Sequence, residues 1–344
     1  MRRYVDHAAA TPVLEDVIEA MAPWWRRAAN ASSAHAEGRA AQAALEAARA
    51  DVAALVGAPS RGVLFTSGAT EANALGVLGA PAGPAHGVDG DHPSLTAAVL
   101  GRGGVIWPRP RTGLLDIDGA GVLATTAAHH EDGSTLGLAR PWPGWHHVDA
   151  AAAASRMDLT AIPGHAIALA SSKLGGPQGM GALVVRGGVD AIQPQLKGGA
   201  QERGLRAGTV PVALAVGFGM AARLARLRRE ARVRHWQALD AKALAAAARC
   251  GGRAVGQGAR APGILTFVFA GRRGDLLVAA LDLAGIAASS GAACTSGSQL
   301  PSALLRSLDD PEPAGALRLS WGENTTSADV DATFAALSEI LQRG

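Results

Sequence analysis

ASSKLGGPQGMGALVVR, residues 170–186, decides the fold of this chain, because it places Lys173 directly after an apolar run. That run, residues 166–170, is typical of a buried strand. Earlier in the chain HHVDA, residues 146–150, puts Asp149 at the end of another apolar strand. Open α/β sheets bind ligands at the carboxyl ends of their strands. The pattern therefore predicts an α/β fold with Lys173 and Asp149 at one edge of its sheet.

A lysine and an aspartate in this arrangement suit a site for pyridoxal phosphate (PLP). A lysine amine can hold the aldehyde of this cofactor covalently, while a buried carboxylate keeps the pyridine nitrogen protonated. Lysines after strands are nevertheless common in soluble proteins, and short motifs often match by chance. The pair alone leaves both interpretations open, and the rest of the chain decides between them.

Helical and strand patterns alternate through the first two-thirds of the chain. Helices are predicted over residues 12–22, 38–56 and 71–78, and strands over residues 62–65 and near Val105, Val122, His147, Ile167 and Ala182. This alternation predicts a mostly parallel sheet with helices on both faces. After a helical region over residues 214–247 the order changes to a smaller α+β unit, with strands over residues 264–269, 286–289 and 316–320 and a helix over residues 275–283.

Composition narrows the class of protein. The 344 residues are enough for two domains, and 32 Lys and Arg against 29 Asp and Glu leave a scattered net charge of +3, which does not indicate nucleic-acid binding. The chain has no apolar run of membrane-span length and no leader of signal-peptide type. With only two cysteines, Cys250 and Cys294, a disulfide framework is excluded, and we expect a cytoplasmic protein with no membrane attachment.

The stretch TSGATEAN, residues 66–73, follows a strand and begins a helix. Backbone N–H groups at a helix N-terminus bind phosphate, and the Thr70 hydroxyl would add a further donor. An ordinary strand-to-helix turn has the same appearance. His92, in GDHPSL, follows another expected strand and could lie flat on a cofactor ring and move protons, although a lone histidine is more often structural.

The sequence around two further residues indicates a chemical role for each. Cys294 lies in SSGAACTSG, residues 289–297, where glycine and serine provide no apolar wall and leave the thiol accessible as a nucleophile. Cys250, at the end of an alanine-rich helix, instead fits a packed thiol. Arg318 could hold a substrate carboxylate through two hydrogen bonds, or it could form a surface ion pair.

A series of stretches identifies a resemblance that covers nearly the whole chain. They are YVDHAAATP (4–12), NASSAHAEGR (30–39), TSGATEAN, HHVDA, LGGPQGMGALVVR, QERGLRAGTVPV (201–212) and SSGAACTSG. In this order they resemble the NifS-like and IscS-like cysteine desulfurases of the class-V aminotransferase group, PLP enzymes that convert L-cysteine to L-alanine and a protein-bound persulfide.

The resemblance implies the fold of type I PLP-dependent transferases, with a mostly parallel seven-stranded sheet in a large domain and a smaller α+β domain. We predict that residues 14–230 form the large domain, and that residues 1–13 and 231–344 form the small domain that carries the cysteine loop. The resemblance also implies a cytoplasmic homodimer that acts on L-cysteine and passes sulfur to an acceptor protein.

Roles for individual residues follow from the resemblance. It implies catalytic roles for Lys173, which carries PLP, for His92, which lies on the ring, and for Cys294, the persulfide cysteine. The residues implied in cofactor binding are Ala69, Thr70, His92, His130, Asp149, Ser171, Ser172, Lys173 and, from the partner subunit, Thr209. Substrate binding is implied for Arg318, Asn30 and His130, and no metal site is expected.

Several positions around the expected cofactor depart from the family pattern. An Asn-Asn-Glu run is usual where this chain has His129, His130 and Glu131, and a glutamine is usual at Ala152. The residues that flank the lysine are Ala170 and Ser172 instead of serine and histidine, and an early Asp-Asn pair is replaced by Asp6 and His7. Each hydrogen bond lost to a charged cofactor group would cost roughly 1.5–3 kcal/mol of affinity.

Two other functions stay open at this point. A class-V lyase or aminotransferase that acts on another amino acid would share the cofactor site, with His130 reshaping the substrate pocket. A degenerate homologue could serve as a binding or scaffold subunit. Cys294 distinguishes the first alternative, because an aminotransferase has no use for it. Against the second alternative stands the joint presence of five residues, Lys173, Asp149, His92, Cys294 and Arg318.

Overall fold

The computed structural model describes residues 2–28, 30–256, 258–291 and 301–343. The helices in these ranges are α1 (Glu15–Trp25), α2 (Ala36–Leu55), α3 (Ala69–Leu78), α4 (Pro93–Gly101), α5 (Val212–Arg249), α6 (Gly274–Leu283), α7 (Ala303–Ser307) and α8 (Ser327–Arg343). The strands are β1 (Arg3–Tyr4), β2 (Val63–Thr66), β3 (Ala85–Val88), β4 (Val105–Trp107), β5 (Leu114–Leu115), β6 (Val122–Thr126), β7 (Gly137–Leu138), β8 (Trp145–Asp149), β9 (Ala166–Ala170), β10 (Gly181–Val185), β11 (Gly252–Ala254), β12 (Ile264–Phe269), β13 (Ile286–Ala287) and β14 (Ala316–Ser320).

Seven strands form one sheet in the order β2-β10-β9-β8-β6-β3-β4. Strand β10 is antiparallel to both β2 and β9, and the remaining neighbours pair in parallel. The central strands β6, β9 and β10 are buried at every residue, as expected of a sheet covered on both faces. The predicted mostly parallel, seven-stranded sheet is confirmed.

The alternation of side chains along β9 shows how the sheet is covered. Ile167 and Leu169 face the core formed with α1, α2 and α5, whereas Ala166 and Ala168 face the opposite core, where Leu75 of α3 packs. Because side chains alternate with a period of two residues, one apolar strand contributes to both cores. The strand ends are thereby held rigidly between two helical layers.

A smaller α+β unit follows the large sheet. Strands β11, β12 and β14 form an antiparallel sheet, and β1 pairs in parallel with β13. Its core contains Trp236 of α5 together with Phe267, Leu319 and Phe334. Helix α5 also supplies Phe218 to the core beneath the large sheet, so one helix belongs to both units. The domain limits at residues 14 and 231 remain predictions.

Several elements escaped the sequence patterns, namely β3, α4, β5, β7, β11 and α7. Strand β3 contains His86 and Gly87, which interrupt its short apolar run, and α4 is apolar on nearly all sides and so lacks helical periodicity. Strand β13 ends at Ala287, two residues before the predicted end. No helix among the described residues is both long and apolar enough to cross a membrane.

Candidate active site

A cavity of about 290 Å³ opens at the carboxyl ends of the central strands, where the small unit meets the large sheet. Of the residues predicted for the site, it is lined by Ala69, Thr70, His92, His130, Asp149, Ser172, Lys173 and Arg318. They come from six separate places in the sequence. Those of the large unit meet because their strands end at one edge, and Arg318 is contributed by β14 of the small unit. The fold therefore brings most of the predicted site together.

Lys173 ends a short 3₁₀ turn, Ser171–Lys173, that follows β9 directly. Its Nζ donates a hydrogen bond to the carbonyl oxygen of Ala8 at 2.6 Å and another to that of Ala9. Ala8 and Ala9 belong to the N-terminal segment and line the same cavity. The amine is thus held at the cavity wall, which the N-terminal segment closes.

Asp149 is the last residue of β8 and is almost fully buried. Its Oδ2 accepts a hydrogen bond from Asn73 Nδ2 at 2.7 Å, and its Oδ1 accepts one from the backbone N–H of Ala151 at 2.9 Å. Both oxygens are therefore oriented by neutral donors. A buried carboxylate held in this way is suited to pair with a cation that enters the cavity.

His92 is the N-cap residue of α4, and its Nδ1 accepts a hydrogen bond from the backbone N–H of Ser94. Its ring stands edge-on to that of His130, with 5.3 Å between the ring centroids. Burial lowers the pKa of His92, the Asp149 carboxylate opposes this shift, and the Lys173 charge adds to it. His92 is consequently a neutral imidazole at the cavity wall.

The turn between β2 and α3 forms the far wall. Ser67, Gly68, Ala69 and Thr70 line the cavity where α3 begins. The backbone N–H of Ser67 donates to Glu71 Oε2 at 2.7 Å, which fixes the turn. The first backbone N–H groups of a helix favour an anion, so this wall is suited to a phosphate.

Arg318 lies in β14 and is only 2% exposed. Its Nη2 donates to Asp6 Oδ1 at 2.7 Å, and its Nη1 donates to the carbonyl oxygen of His130 at 3.1 Å. The ion pair is buried at the cavity, so the surface ion pair that the sequence left open is wrong. The Nε atom of Arg318 is buried and has no hydrogen-bond partner among the described residues.

His130, where the resemblance implies an asparagine, lines the cavity. Its Nε2 is buried without a hydrogen-bond partner among the described residues and lies 3.8 Å from Glu131 Oε1. Burial, reinforced by the neighbouring His129, His92, Arg318 and Lys173, lowers its pKa far below the usual value. This side chain is therefore neutral and can accept or donate one hydrogen bond inside the cavity.

Some predicted site residues lie elsewhere. Ser171 is buried beside Gly176 and does not line the cavity, whereas its neighbours Ala170 and Ser172 do. Its predicted cofactor contact remains a prediction, as does that of Ser172, which lines the cavity. Asn30 and Thr209 are exposed and do not line the cavity of their own chain. Cys294 lies outside the described residues.

The substituted positions change the chemistry of the wall. Ala152 and Ala170 line the cavity with methyl groups, and His7 faces Gly322 and Thr325 outside it. Conversely, sequence reasoning missed Asn73, which contacts Asp149 directly. The signal was present in the sequence, because Asn73 lies three residues after Thr70 and so occupies the same face of α3.

Comparison with known proteins gives consistent matches. A sequence profile of the aminotransferase class-V family matches residues 3–88 and 139–333. The IscS-like cysteine desulfurase of Mycobacterium tuberculosis is 34% identical over 388 residues, which covers 99% of this chain and 96% of that protein. A solved NifS-like protein superposes with a TM-score of 0.88 at 24% identity, covering 100% of both chains. The cysteine desulfurase CsdA of Escherichia coli, in its S-sulfonic acid form, superposes with a TM-score of 0.82 at 26% identity, covering 99% and 94%.

The matched segments contain most of the cavity. Thr70 lies in the first, and Asp149, Lys173 and Arg318 lie in the second, while His92 and His130 fall in the stretch between them. The profile spans most of the chain, and the 34% identical relative aligns along nearly its full length. The chain therefore belongs to the class-V aminotransferase family, in its cysteine desulfurase group.

Proposed function

We propose that this protein is a PLP-dependent cysteine desulfurase, which converts L-cysteine to L-alanine and passes the sulfur atom to a thiol of its own. The observation that carries the proposal is the convergence of Lys173, Asp149 and Arg318 on one cavity. It is supported by relatives that are themselves named cysteine desulfurases. A scaffold homologue would have no reason to hold an amine, a carboxylate and a guanidinium around one enclosed space.

The donor set of the cavity suits PLP. Lys173 offers the amine that its aldehyde requires, Asp149 offers a buried carboxylate for the pyridine nitrogen, and the start of α3 offers N–H groups for the phosphate. A volume of about 290 Å³ is at the lower end of the range for small-molecule sites. When bound, PLP supplies an electron sink for negative charge that develops at the substrate α-carbon.

Three residues of the cavity would then have separate roles in catalysis. Arg318 would bind the substrate carboxylate through its unpartnered Nε and orient the α-carbon towards Lys173. The Lys173 amine would take the α-proton, because an uncharged amine at the cavity wall is a suitable general base. His130 would contribute one hydrogen bond to the substrate or the cofactor, in place of the usual asparagine.

Sulfur transfer is assigned to Cys294. The substrate sulfur would form a bond with the Cys294 thiolate as its bond to the substrate carbon breaks, which leaves a persulfide on the protein and alanine as the product. The support is the small-residue context of this cysteine in the sequence. An acceptor protein would take the sulfur from Cys294.

A homodimer with two composite sites is part of the proposal. Thr209 is exposed, and nearby a shallow apolar cavity is lined by Leu75, Leu196 and Leu205. Leu196 is 51% exposed, and in the proposed dimer the partner subunit would cover it. Light scattering on the holoenzyme should give twice the chain mass, and an active monomer would contradict this part.

One experiment tests the activity directly. Purified protein is incubated with PLP and L-cysteine, and alanine and sulfide are measured together in the presence of a thiol reductant. We expect equal amounts of both, and neither from Lys173→Ala. Transamination of another amino acid without sulfide release would favour the aminotransferase alternative, and absence of any PLP-dependent turnover would favour the scaffold.

A further inference from the structure

A directed chain of hydrogen bonds begins at His147, a fully buried residue of β8. Asn73 Nδ2 lies 2.7 Å from Asp149 Oδ2, and a carboxylate oxygen requires a donor there. The amide of Asn73 therefore turns its Oδ1 towards His147, whose Nε2 lies 2.9 Å away. Burial lowers the pKa of His147 to about 3, so this ring is neutral and carries its proton on Nε2.

The second N–H of the Asn73 amide points to Ser94. Asn73 Nδ2 lies 3.0 Å from Ser94 Oγ, so this oxygen accepts a hydrogen bond and keeps its own proton for another partner. That partner is His92 Nδ1, which lies 2.8 Å from Ser94 Oγ. The backbone N–H of Ser94 also donates to Nδ1, at 3.2 Å. Two donors on Nδ1 leave the proton of the neutral imidazole on Nε2.

We propose that Ser94 and Asn73 are positioning residues, which hold His92 as the tautomer with its proton on Nε2 and couple that choice to the Asp149 carboxylate. In this series of hydrogen bonds each donor meets one acceptor, from His147 through Asn73 and Ser94 to His92. If the Asn73 amide were reversed, its Oδ1 would face Asp149 Oδ2, which is also an acceptor. Its Nδ2 would face the N–H of His147, which is also a donor.

The charged and titratable groups around His92 leave this assignment intact. Asp149 attracts a proton to the ring and Lys173 opposes one, while His130 and His129 are buried and neutral. A second proton on His92 would have to enter at Nδ1, where two donors already point. Protonation therefore requires the N-cap of α4 to break, in addition to the cost of burial.

A consequence for catalysis rests on the proposed function. His92 would present a fixed N–H donor and an aromatic face to the cavity, without the capacity to take up the α-proton. Lys173 would then be the base, and His92 a residue that orients. This differs from the sequence prediction, in which His92 moved protons.

The tautomer can be measured on the apoprotein, without activity. Protein labelled with ¹⁵N at its histidines is studied by long-range ¹H–¹⁵N correlation spectroscopy, and the loss of one signal set in His92→Gln assigns His92. We expect wild-type His92 to show a protonated Nε2 and an unprotonated Nδ1. Removing one hydrogen bond in Ser94→Ala should shift the ratio of tautomers roughly fivefold towards Nδ1–H. Ser94→Thr, which keeps the hydroxyl, should restore the wild-type spectrum.

The controls separate this effect from unfolding. Thr96→Ala, on the same helix and outside the hydrogen-bond chain, should leave the His92 signals unchanged. Asn73→Ala should shift the ratio in the same direction as Ser94→Ala, because Ser94 loses the donor that directs its hydroxyl. A wild-type His92 with its proton on Nδ1, or an unchanged ratio in Ser94→Ala, would overturn the proposal. Neither result depends on whether the protein desulfurates cysteine.

Discussion

Arg318 and Asp6 lie 312 residues apart in sequence, and their side chains are joined by a hydrogen bond of 2.7 Å at the wall of the cavity. The pair balances the charge of a guanidinium that is only 2% exposed. Arg318 Nε is buried and without a partner among the described residues. In the function proposed above, the substrate carboxylate would be the second anion of this guanidinium.

Arg318→Lys should raise the KM for L-cysteine roughly ten- to a hundredfold, because an ammonium group cannot reproduce the fork of donors that holds two carboxylates. The kcat should change much less, since the lost contact binds substrate and transition state alike. Steady-state kinetics at saturating PLP measure both constants. Arg343→Lys, at an exposed end of α8, is the matched control. An unchanged KM would remove Arg318 from substrate binding.

Stability should fall as the pH is lowered from about 6.5 towards 4. Burial lowers the pKa of His7 and His146 to about 4 and that of His147 to about 3. Below about pH 6.5 the unfolded chain binds protons that the folded chain excludes, at roughly 1.4 kcal/mol per pH unit for each histidine. The buried His129 and His130, whose pKa values burial also lowers, add to this loss. Asp91, whose pKa burial raises to about 7, acts in the opposite sense, as do the buried carboxyl groups whose pKa values burial raises, Glu131, Asp132 and Asp240.

Urea denaturation at several pH values measures the slope of the free energy of unfolding against pH. His146→Gln can keep the hydrogen bond to Thr125. It should reduce the slope by roughly 1.4 kcal/mol per pH unit, the contribution of one histidine. His35→Gln changes an exposed histidine and should leave the slope as it is. Identical slopes for all three proteins would mean that His146 is not buried as a neutral ring.

Glu202→Gln should lower the free energy of unfolding by about 3–5 kcal/mol, because it leaves the buried Arg49 without its only buried carboxylate partner among the described residues. The Glu202 carboxylate accepts hydrogen bonds from Arg49 at 2.7 and 2.8 Å and from the backbone N–H of Phe65 at 2.7 Å. Glu46 pairs with the same arginine at 3.3 Å but is 48% exposed, so Glu46→Gln should cost about 1 kcal/mol or less. Equal losses in thermal or urea denaturation would refute this difference between the two carboxylates.

Cys294→Ser should still bind PLP and L-cysteine but should form no persulfide and almost no alanine, because no thiolate is left to take the sulfur. Cys250 is half-buried at the end of α5 and packs against the core of the small unit. Cys250→Ser should therefore behave as wild type. Mass spectrometry after cysteine treatment locates the added sulfur, and its presence on Cys250 would refute the assignment.

Local patterns predicted the parts of the site that depend on strand ends. Asp149 closes β8 and Lys173 follows β9, as their apolar runs indicated, and Thr70 begins α3 as predicted. These residues are positioned by the secondary structure next to them in the sequence. Motif spacing is informative there because the backbone of a strand or helix carries the side chain to a known edge.

Contacts between segments that are distant in the sequence could not be predicted from it. Nothing near Arg318 indicates that Asp6 pairs with it, and nothing near Lys173 indicates that the carbonyl groups of Ala8 and Ala9 hold its amine. Ser94 follows a histidine and a proline at an N-terminus that showed no helical periodicity. Such partners are selected by how the small unit docks on the sheet, which depends on many weak contacts at once.

Helix α5 has mechanical consequences for the enzyme. It runs unbroken for 38 residues, roughly 57 Å, and is built into the cores of both units. A hinge motion between the units would have to bend this helix and break main-chain hydrogen bonds along it. The mouth of the cavity should therefore keep its width during turnover, and entry and exit of small molecules should be governed by surface loops and not by the opening and closing of two halves.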